Sequence, residues 1–138
     1  MPNWCINTLI IKGDKSHLKA FKRRAKSKGT DLSLECFLPM PRELVGTVSP
    51  GDNPNWYDWS LENWGTKWDI KAKLSQQFED GLVYEFRSAW TPPVAWLKTV
   101  ANTYPKLEFT LKYDEEGVGF LGVAQTIKGR VKDKSIDY

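Results

Sequence analysis

The sequence predicts an α+β fold in which an antiparallel sheet, built in the order βαββαβ, carries two helices on one face. Two observations predict it. Several short segments alternate apolar and polar residues, which is typical of half-buried strands. Two longer segments instead have apolar residues at the three- and four-residue spacing of amphipathic helices. With 138 residues, we expect a single domain over residues 1–138.

The first third of the chain predicts a strand, a helix and a second strand. The run CINTLIIKG is β-branched and apolar apart from Asn7 and Thr8, so we expect a central strand. Residues 14–29 predict a helix that Asp14 or Ser16 caps and Gly29 ends. Its inward stripe is Leu18, Phe21 and Ala25. The alternation in LSLECFLPMP, residues 32–41, predicts a half-buried strand that its prolines end.

The middle of the chain predicts a long Trp-rich insertion at about 42–66, because VSPGDNPN is dense in turn-forming residues and no period is visible. After it, IKAKLSQQFEDG predicts a short helix with Ile70, Leu74 and Phe78 facing inward. The following LVYEFRSAW alternates and predicts a strand.

The last third predicts a helix and a hairpin. Thr91 is the expected cap of a helix in TPPVAWLKTVANTYP, and Pro105 stops it. LEFTLKY and VGFLGVAQTI predict two strands that DEEG connects. We expect the polar tail at about 128–138 to be loose. The resulting order is ferredoxin-like, with an insertion and an extra C-terminal strand.

Composition favours an ordinary soluble protein, with 41% hydrophobic and 27% charged residues. The chain has no run long enough to span a membrane and no export signal, so we expect a cytoplasmic protein without membrane association. Cys5 and Cys36 lie in strand-like runs and are expected to be buried free thiols. The net charge of +3 is weaker than that of a dedicated nucleic-acid-binding domain.

Five stretches carry a resemblance to a known family: MPNWCINTLIIKG, LPMP, NWGTKWD, AWTPP and YDEEGVGFLG. Together they resemble the Api92-like family of phage and plasmid proteins, which includes the YubB-like ferredoxin-like domain of unknown function. The resemblance runs from Met1 to about Gly122. It implies a ferredoxin-like core and an origin on mobile elements. It implies no activity and no catalytic residue.

The sequence assigns no catalytic residue, no metal site and no cofactor. The one histidine, His17, has no second nitrogen ligand, and the two cysteines lack the spacing of a zinc site. No nucleophile motif is present, so an enzyme is the less favoured interpretation. A carboxylate-dependent hydrolase around Asp69 and Glu116 stays as an alternative.

NWGTKWD, residues 63–69, is the candidate binding groove. We expect Trp64 and Trp68 in or near the core, and Lys67 with Asp69 and Glu116 in one polar cluster where the insertion meets the sheet. That cluster either braces the insertion or lines a groove that recognises a partner. The candidate groove residues are Asn7, Asn63, Trp64, Lys67, Trp68, Asp69 and Glu116.

The first predicted helix has a basic outer face that offers a second kind of site. The candidate phosphate contacts are Lys19, Lys22, Arg23, Arg24 and Lys26. A solvated helix face is the plainer interpretation of the same residues. We therefore expect a module that binds a protein partner, with nucleic-acid binding as the alternative.

Overall fold

The computed structural model describes residues 2–138 and contains a six-stranded antiparallel sheet in the order β2-β3-β1-β4-β5-β6. The strands are β1 (Trp4–Lys12), β2 (Ala72–Phe78), β3 (Gly81–Ala89), β4 (Glu108–Glu115), β5 (Phe120–Ile127) and β6 (Arg130–Asp137). The helices are α1 (Lys15–Ala25), α2 (Trp56–Asn63) and α3 (Val94–Thr103), with a 3₁₀ turn at Arg42–Leu44. No helix in the described part combines the length and apolar character needed to cross a membrane.

The first four strands with α1 and α3 form the predicted ferredoxin-like unit. Their chain order is β1-α1-β2-β3-α3-β4 and their sheet order is β4-β1-β3-β2. Strands β5 and β6 continue the sheet beyond β4, so the fold class is confirmed, with two added strands where the sequence predicted one.

Helices α1 and α3 cover one face of the sheet and enclose the core. The α1 stripe of Leu18, Phe21 and Ala25 is buried as predicted. The Phe21 ring lies 6.3 Å from the Tyr84 ring and 5.8 Å from the Phe109 ring, measured between centroids. Strand β1 alternates buried and more exposed residues, so its central position is confirmed but only one of its faces is covered. We call the uncovered side of the sheet the open face.

The predicted strand at residues 32–38 is wrong. Here the backbone turns on itself, with the amides of Phe37 and Leu38 both donating to the Leu34 carbonyl. Two indoles add hydrogen bonds to this segment: the N–H of Trp96 also donates to the Leu34 carbonyl, and that of Trp64 donates to the Leu38 carbonyl. Leu32 and Leu34 are fully buried and Leu38 is partly buried, without a partner strand.

The predicted helix at residues 70–78 is wrong too, because this segment contains β2. It pairs with β3 through the turn at residues 79–80, with a register shift between Leu74 and Gln76. Ile70 is buried, but Phe78 is 56% exposed.

The C-terminal segment is ordered as β6, which corrects the prediction of a loose tail. Lys128 and Gly129 have φ of 53° and 79°, which suits a tight hairpin with β5. Val131 packs against the core, and the Tyr113 hydroxyl donates to the Asp133 carboxylate. These two contacts add to the backbone pairing with β5 along the whole of this largely polar strand.

Helix ends follow the predictions in part. Asp14 caps α1 as predicted, accepting from the His17 amide at 3.0 Å. This hydrogen bond to the backbone amide lowers the pKa of Asp14 to about 2. However, α1 ends at Ala25, before Gly29. Thr91 is not the cap of α3, which has Pro93 at its N-cap position.

Candidate functional site

Trp64 anchors NWGTKWD in the core, as predicted. The side chain is 3% exposed, and its indole N–H donates to the Leu38 carbonyl at 2.9 Å. Its ring packs edge-on against Trp59, with 5.2 Å between centroids. A buried indole whose N–H is hydrogen-bonded has little freedom to move, so Trp64 holds this segment against the core.

Gly65 and Thr66 tie the same segment to the ends of α3 and β3. Gly65 has φ of +83°, and a Cβ there would lie 3.1 Å from the Ala95 nitrogen, so only glycine fits. The Gly65 carbonyl accepts from the Thr91 hydroxyl at 2.6 Å. The fully buried Thr66 hydroxyl donates to the Ala89 carbonyl at 2.8 Å. The backbone at Gly65 and Thr66 is therefore held in place immediately before Lys67 and Trp68.

Trp68 lies on the surface, which corrects the prediction that it belongs to the core. It is 41% exposed, and its ring centroid lies 6.5 Å from that of Trp4, which is 37% exposed. The reason is local. Residues 67–69 precede β2 and do not form the strand start that would have turned Trp68 inward.

Two cations lie over these exposed rings. The Lys67 Nζ is 4.6 Å from the Trp68 centroid, and the Arg87 Cζ is 5.1 Å from the Trp4 centroid. Within residues 2–138 no Lys or Arg side chain lies within salt-bridge distance of a carboxylate, so neither cation is neutralised there. We call Trp4, Lys67, Trp68 and Arg87 the tryptophan patch.

An exposed apolar row continues from the patch across the open face. Ile6 is 49% exposed, Leu121 39% and Ile136 63%. The register places all three in one row, with Asp114 between Ile6 and Leu121. The Tyr138 hydroxyl donates to the Asp114 carboxylate, a hydrogen bond that raises the pKa of Tyr138 to about 12. Exposed apolar side chains clustered in this way, here around one carboxylate, mark interaction surfaces.

The predicted cluster of Lys67, Asp69 and Glu116 is not formed. The Asp69 carboxylate accepts from the Ser33 hydroxyl at 2.6 Å and from the Leu34 amide at 2.7 Å. Asp69 thus braces residues 33–34, while Lys67 lies over the Trp68 ring. Glu116 is exposed in the turn after β4, where Glu115 is the buried carboxylate.

The two predicted asparagines are also outside the patch. Asn7 is 1% exposed, and its Nδ2 donates to the Ser88 hydroxyl and the Cys5 carbonyl. The Asn63 side chain donates to the Trp59 carbonyl within α2. Of the seven predicted groove residues, the patch contains Lys67 and Trp68.

The basic face of α1 divides into engaged and solvent-facing residues. The Lys22 Nζ donates to the Gln77 Oε1 at 2.8 Å. The Arg24 Nε donates to the Cys36 carbonyl at 3.2 Å, and its guanidinium lies over the Phe37 ring. Lys19, Arg23 and Lys26 are exposed.

Sequence reasoning missed Trp4 and Arg87. The pattern that identifies them was present in the strands: Cys5, Asn7 and Leu9 face the core, so Trp4 must face the other side of the sheet. In β3, Phe86 faces the core, so the adjacent Arg87 must face the other side of the sheet.

The groups that the sequence offered for metal binding or catalysis are placed as follows. No group of three His, Cys, Asp or Glu side chains is placed to hold a metal within residues 2–138. Burial raises the pKa of the Cys5 thiol to about 12, so it stays protonated and is a poor nucleophile. The Asp69 carboxylate is committed to Ser33 and Leu34.

A family model described as the ferredoxin-like domain in Api92-like protein matches residues 63–137, just over half of the chain. The chain belongs to the Api92-like family. The match begins at Asn63, the first residue of NWGTKWD, and takes in β2 to β6. It therefore contains three members of the tryptophan patch, Lys67, Trp68 and Arg87.

A solved structure supports the fold of this Api92-like chain. It resembles the crystal structure of the protein Api92 from Yersinia pseudotuberculosis with a TM-score of 0.72 and 9% sequence identity. The similarity covers 100% of this chain and 98% of the other. At this identity the comparison shows a shared fold. No curated protein matches the chain.

Proposed function

We propose that this Api92-like protein is an interaction module whose tryptophan patch binds an acidic, partly apolar segment of a partner protein. One observation carries the proposal. Two half-exposed indoles, Trp4 and Trp68, each hold a cation with no carboxylate partner in the described residues.

The chemistry of the patch suits a protein partner. Trp and Arg dominate the binding energy of protein interfaces, because they combine apolar area with directed polar contacts. Apolar partner side chains would contact the indoles and the row of Ile6, Leu121 and Ile136. Partner carboxylates would pair with Arg87 and Lys67, which are already held in place by the rings.

Nucleic-acid binding through α1 is the second candidate, because Lys19, Arg23 and Lys26 are solvent-facing and form no ion pair in the described residues. The patch itself suits bases less well. One face of each indole is occupied by a cation of the chain, which leaves less ring surface for stacking.

The setting we propose is the cytoplasm of a cell that carries a phage or plasmid. Both cysteines are free thiols, which fits a reducing compartment. The mobile-element origin rests on the family resemblance. A host protein is then the natural class of partner.

The test is affinity capture with the tagged full-length chain from a lysate of the source cells, quantified by mass spectrometry. We expect one protein captured at near-equal amount by the wild type and lost with Trp4→Ala/Arg87→Gln. Val45→Ala is the matched control, because Val45 is also an exposed apolar side chain but lies outside the patch.

Nuclease treatment of the lysate separates the two candidates. Capture that survives nuclease and fails only with the patch variant supports the proposal. Capture that the patch variant retains in full would overturn it. Capture that nuclease abolishes would favour nucleic acid and α1.

A further inference from the structure

A second concave site lies between α1 and the hairpin of β2 and β3. The cleft encloses about 690 Å³, within the range of small-molecule sites. Its lining residues are Lys15, Leu18, Lys19, Lys22, Gln77, Phe78, Glu79 and Leu82. It adjoins the start of β3 at Gly81, whereas the tryptophan patch lies by Ala89 at the other end of β3. The two sites are independent.

The cleft has an apolar floor and an aromatic wall. Leu18 is 4% exposed and Leu82 is 2% exposed, so both belong to the core beneath the cleft. Phe78 lines the cleft yet is 56% exposed. An exposed phenyl ring beside an apolar floor offers one face to a planar group.

The opposite wall is basic. Lys15, Lys19 and Lys22 follow one another at four- and three-residue spacing, which places them on one side of α1. The Lys22 Nζ is held across the cleft by Gln77. Lys15 and Lys19 are exposed and form no ion pair within residues 2–138, and Glu79 is the one acidic residue in the lining.

We propose that this cleft binds a free mononucleotide. Its planar base contacts the Phe78 ring above Leu18 and Leu82, and its phosphates pair with the ammonium groups of Lys15 and Lys19. The Lys22–Gln77 hydrogen bond bounds the cleft on one side. The combination of a planar apolar group and multiple negative charge is what separates this ligand class from simple anions and from neutral aromatics.

The test is titration of the ¹⁵N-labelled full-length protein with magnesium-free ATP, followed by NMR chemical-shift changes. Adenosine and inorganic tripolyphosphate are the two comparison ligands, since each carries half of the recognition chemistry. We expect saturable shifts centred on Leu18, Gln77 and Phe78, with ATP binding at least about fivefold tighter than either comparison ligand.

Variants locate the site. Phe78→Ala and Lys15→Gln/Lys19→Gln should each weaken ATP binding about fivefold or more. Lys26→Gln, a change at the residue that follows α1 and lies outside the cleft, should leave ATP binding unaltered. All three alter exposed side chains, and dispersed amide spectra verify that each variant is folded.

Four results would overturn the proposal: no saturable shift with millimolar ATP, tripolyphosphate binding as tightly as ATP, Phe78→Ala binding as the wild type does, or Lys26→Gln weakening binding as much as the cleft variants. None of them bears on the tryptophan patch.

Discussion

Trp64 and Trp68 lie four residues apart, yet one is buried in the core and the other covers part of the surface. Gly65 in the left-handed region and the buried Thr66 hydroxyl produce this division, because they turn the chain and fix it to β3. Aromatic content alone predicted burial for both rings. It identified Trp64 correctly but not Trp68, since the direction of a side chain after a glycine turn depends on contacts distant in sequence.

The two tryptophans should therefore differ in their contribution to stability. Trp64→Ala removes a buried ring and its hydrogen bond to Leu38, and should lower the free energy of unfolding by about 3–5 kcal/mol. Trp68→Ala removes a half-exposed ring and should cost about 1 kcal/mol or less. Urea denaturation followed by circular dichroism measures both. Equal losses for the two variants would contradict the assignment of Trp68 to the surface.

At the scale of elements, the strands with regular alternation were predictable and two segments were not. Ile70, Leu74 and Phe78 recur every four residues, which fits the same face of a helix and also the same face of a strand. The segment is a strand in the structure because it pairs with β3 in a hairpin. Residues 32–38 alternate like a strand, but Asp69, Trp64 and Trp96 satisfy their backbone groups instead of a neighbouring strand.

Asp69 should accordingly act as a brace between residues 33–34 and the start of β2. Asp69→Ala leaves the Ser33 hydroxyl and the Leu34 amide without their acceptor, and should cost about 1–3 kcal/mol. Glu116→Ala is the control, expected to change stability by no more than about 0.5 kcal/mol because Glu116 is exposed. Urea unfolding midpoints and slopes give both values. Comparable losses for both variants would restore the cluster that the sequence predicted, and no loss for Asp69→Ala would contradict the brace.

For the whole molecule, the ferredoxin-like class was predicted correctly, although the second strand of the βαββαβ order is Ala72–Phe78 and not residues 32–38. The candidate surface was not predictable in the same way. The apolar residues on both faces of β1 predicted a central strand, and the helices cover only one of those faces. The alternation in β1 places Trp4 on the opposite face from Cys5 and Asn7, but which of the two faces stays open depends on where α1 and α3 pack. The exposed side chains Trp4 and Ile6 are the result.

The last prediction uses Cys5 as a probe of the whole fold. Cys5 is 0% exposed in a central strand, whereas Cys36 is half-buried in the turns of residues 32–38. Burial raises the pKa of Cys5 to about 12, so both access and thiolate formation require the sheet to open. In native buffer at about pH 8, a thiol reagent should label Cys36 first.

In a Cys36→Ser variant, labelling of Cys5 should accelerate with urea. The free energy of opening calculated from the labelling rate should agree with the free energy of global unfolding within about 1 kcal/mol. Peptide mass spectrometry identifies which cysteine is labelled, and the rate at which the reagent releases its thiol product gives the rate of labelling. Fast labelling of Cys5 that does not depend on urea would mean that β1 opens locally, and the central sheet would not be the most stable part of the molecule.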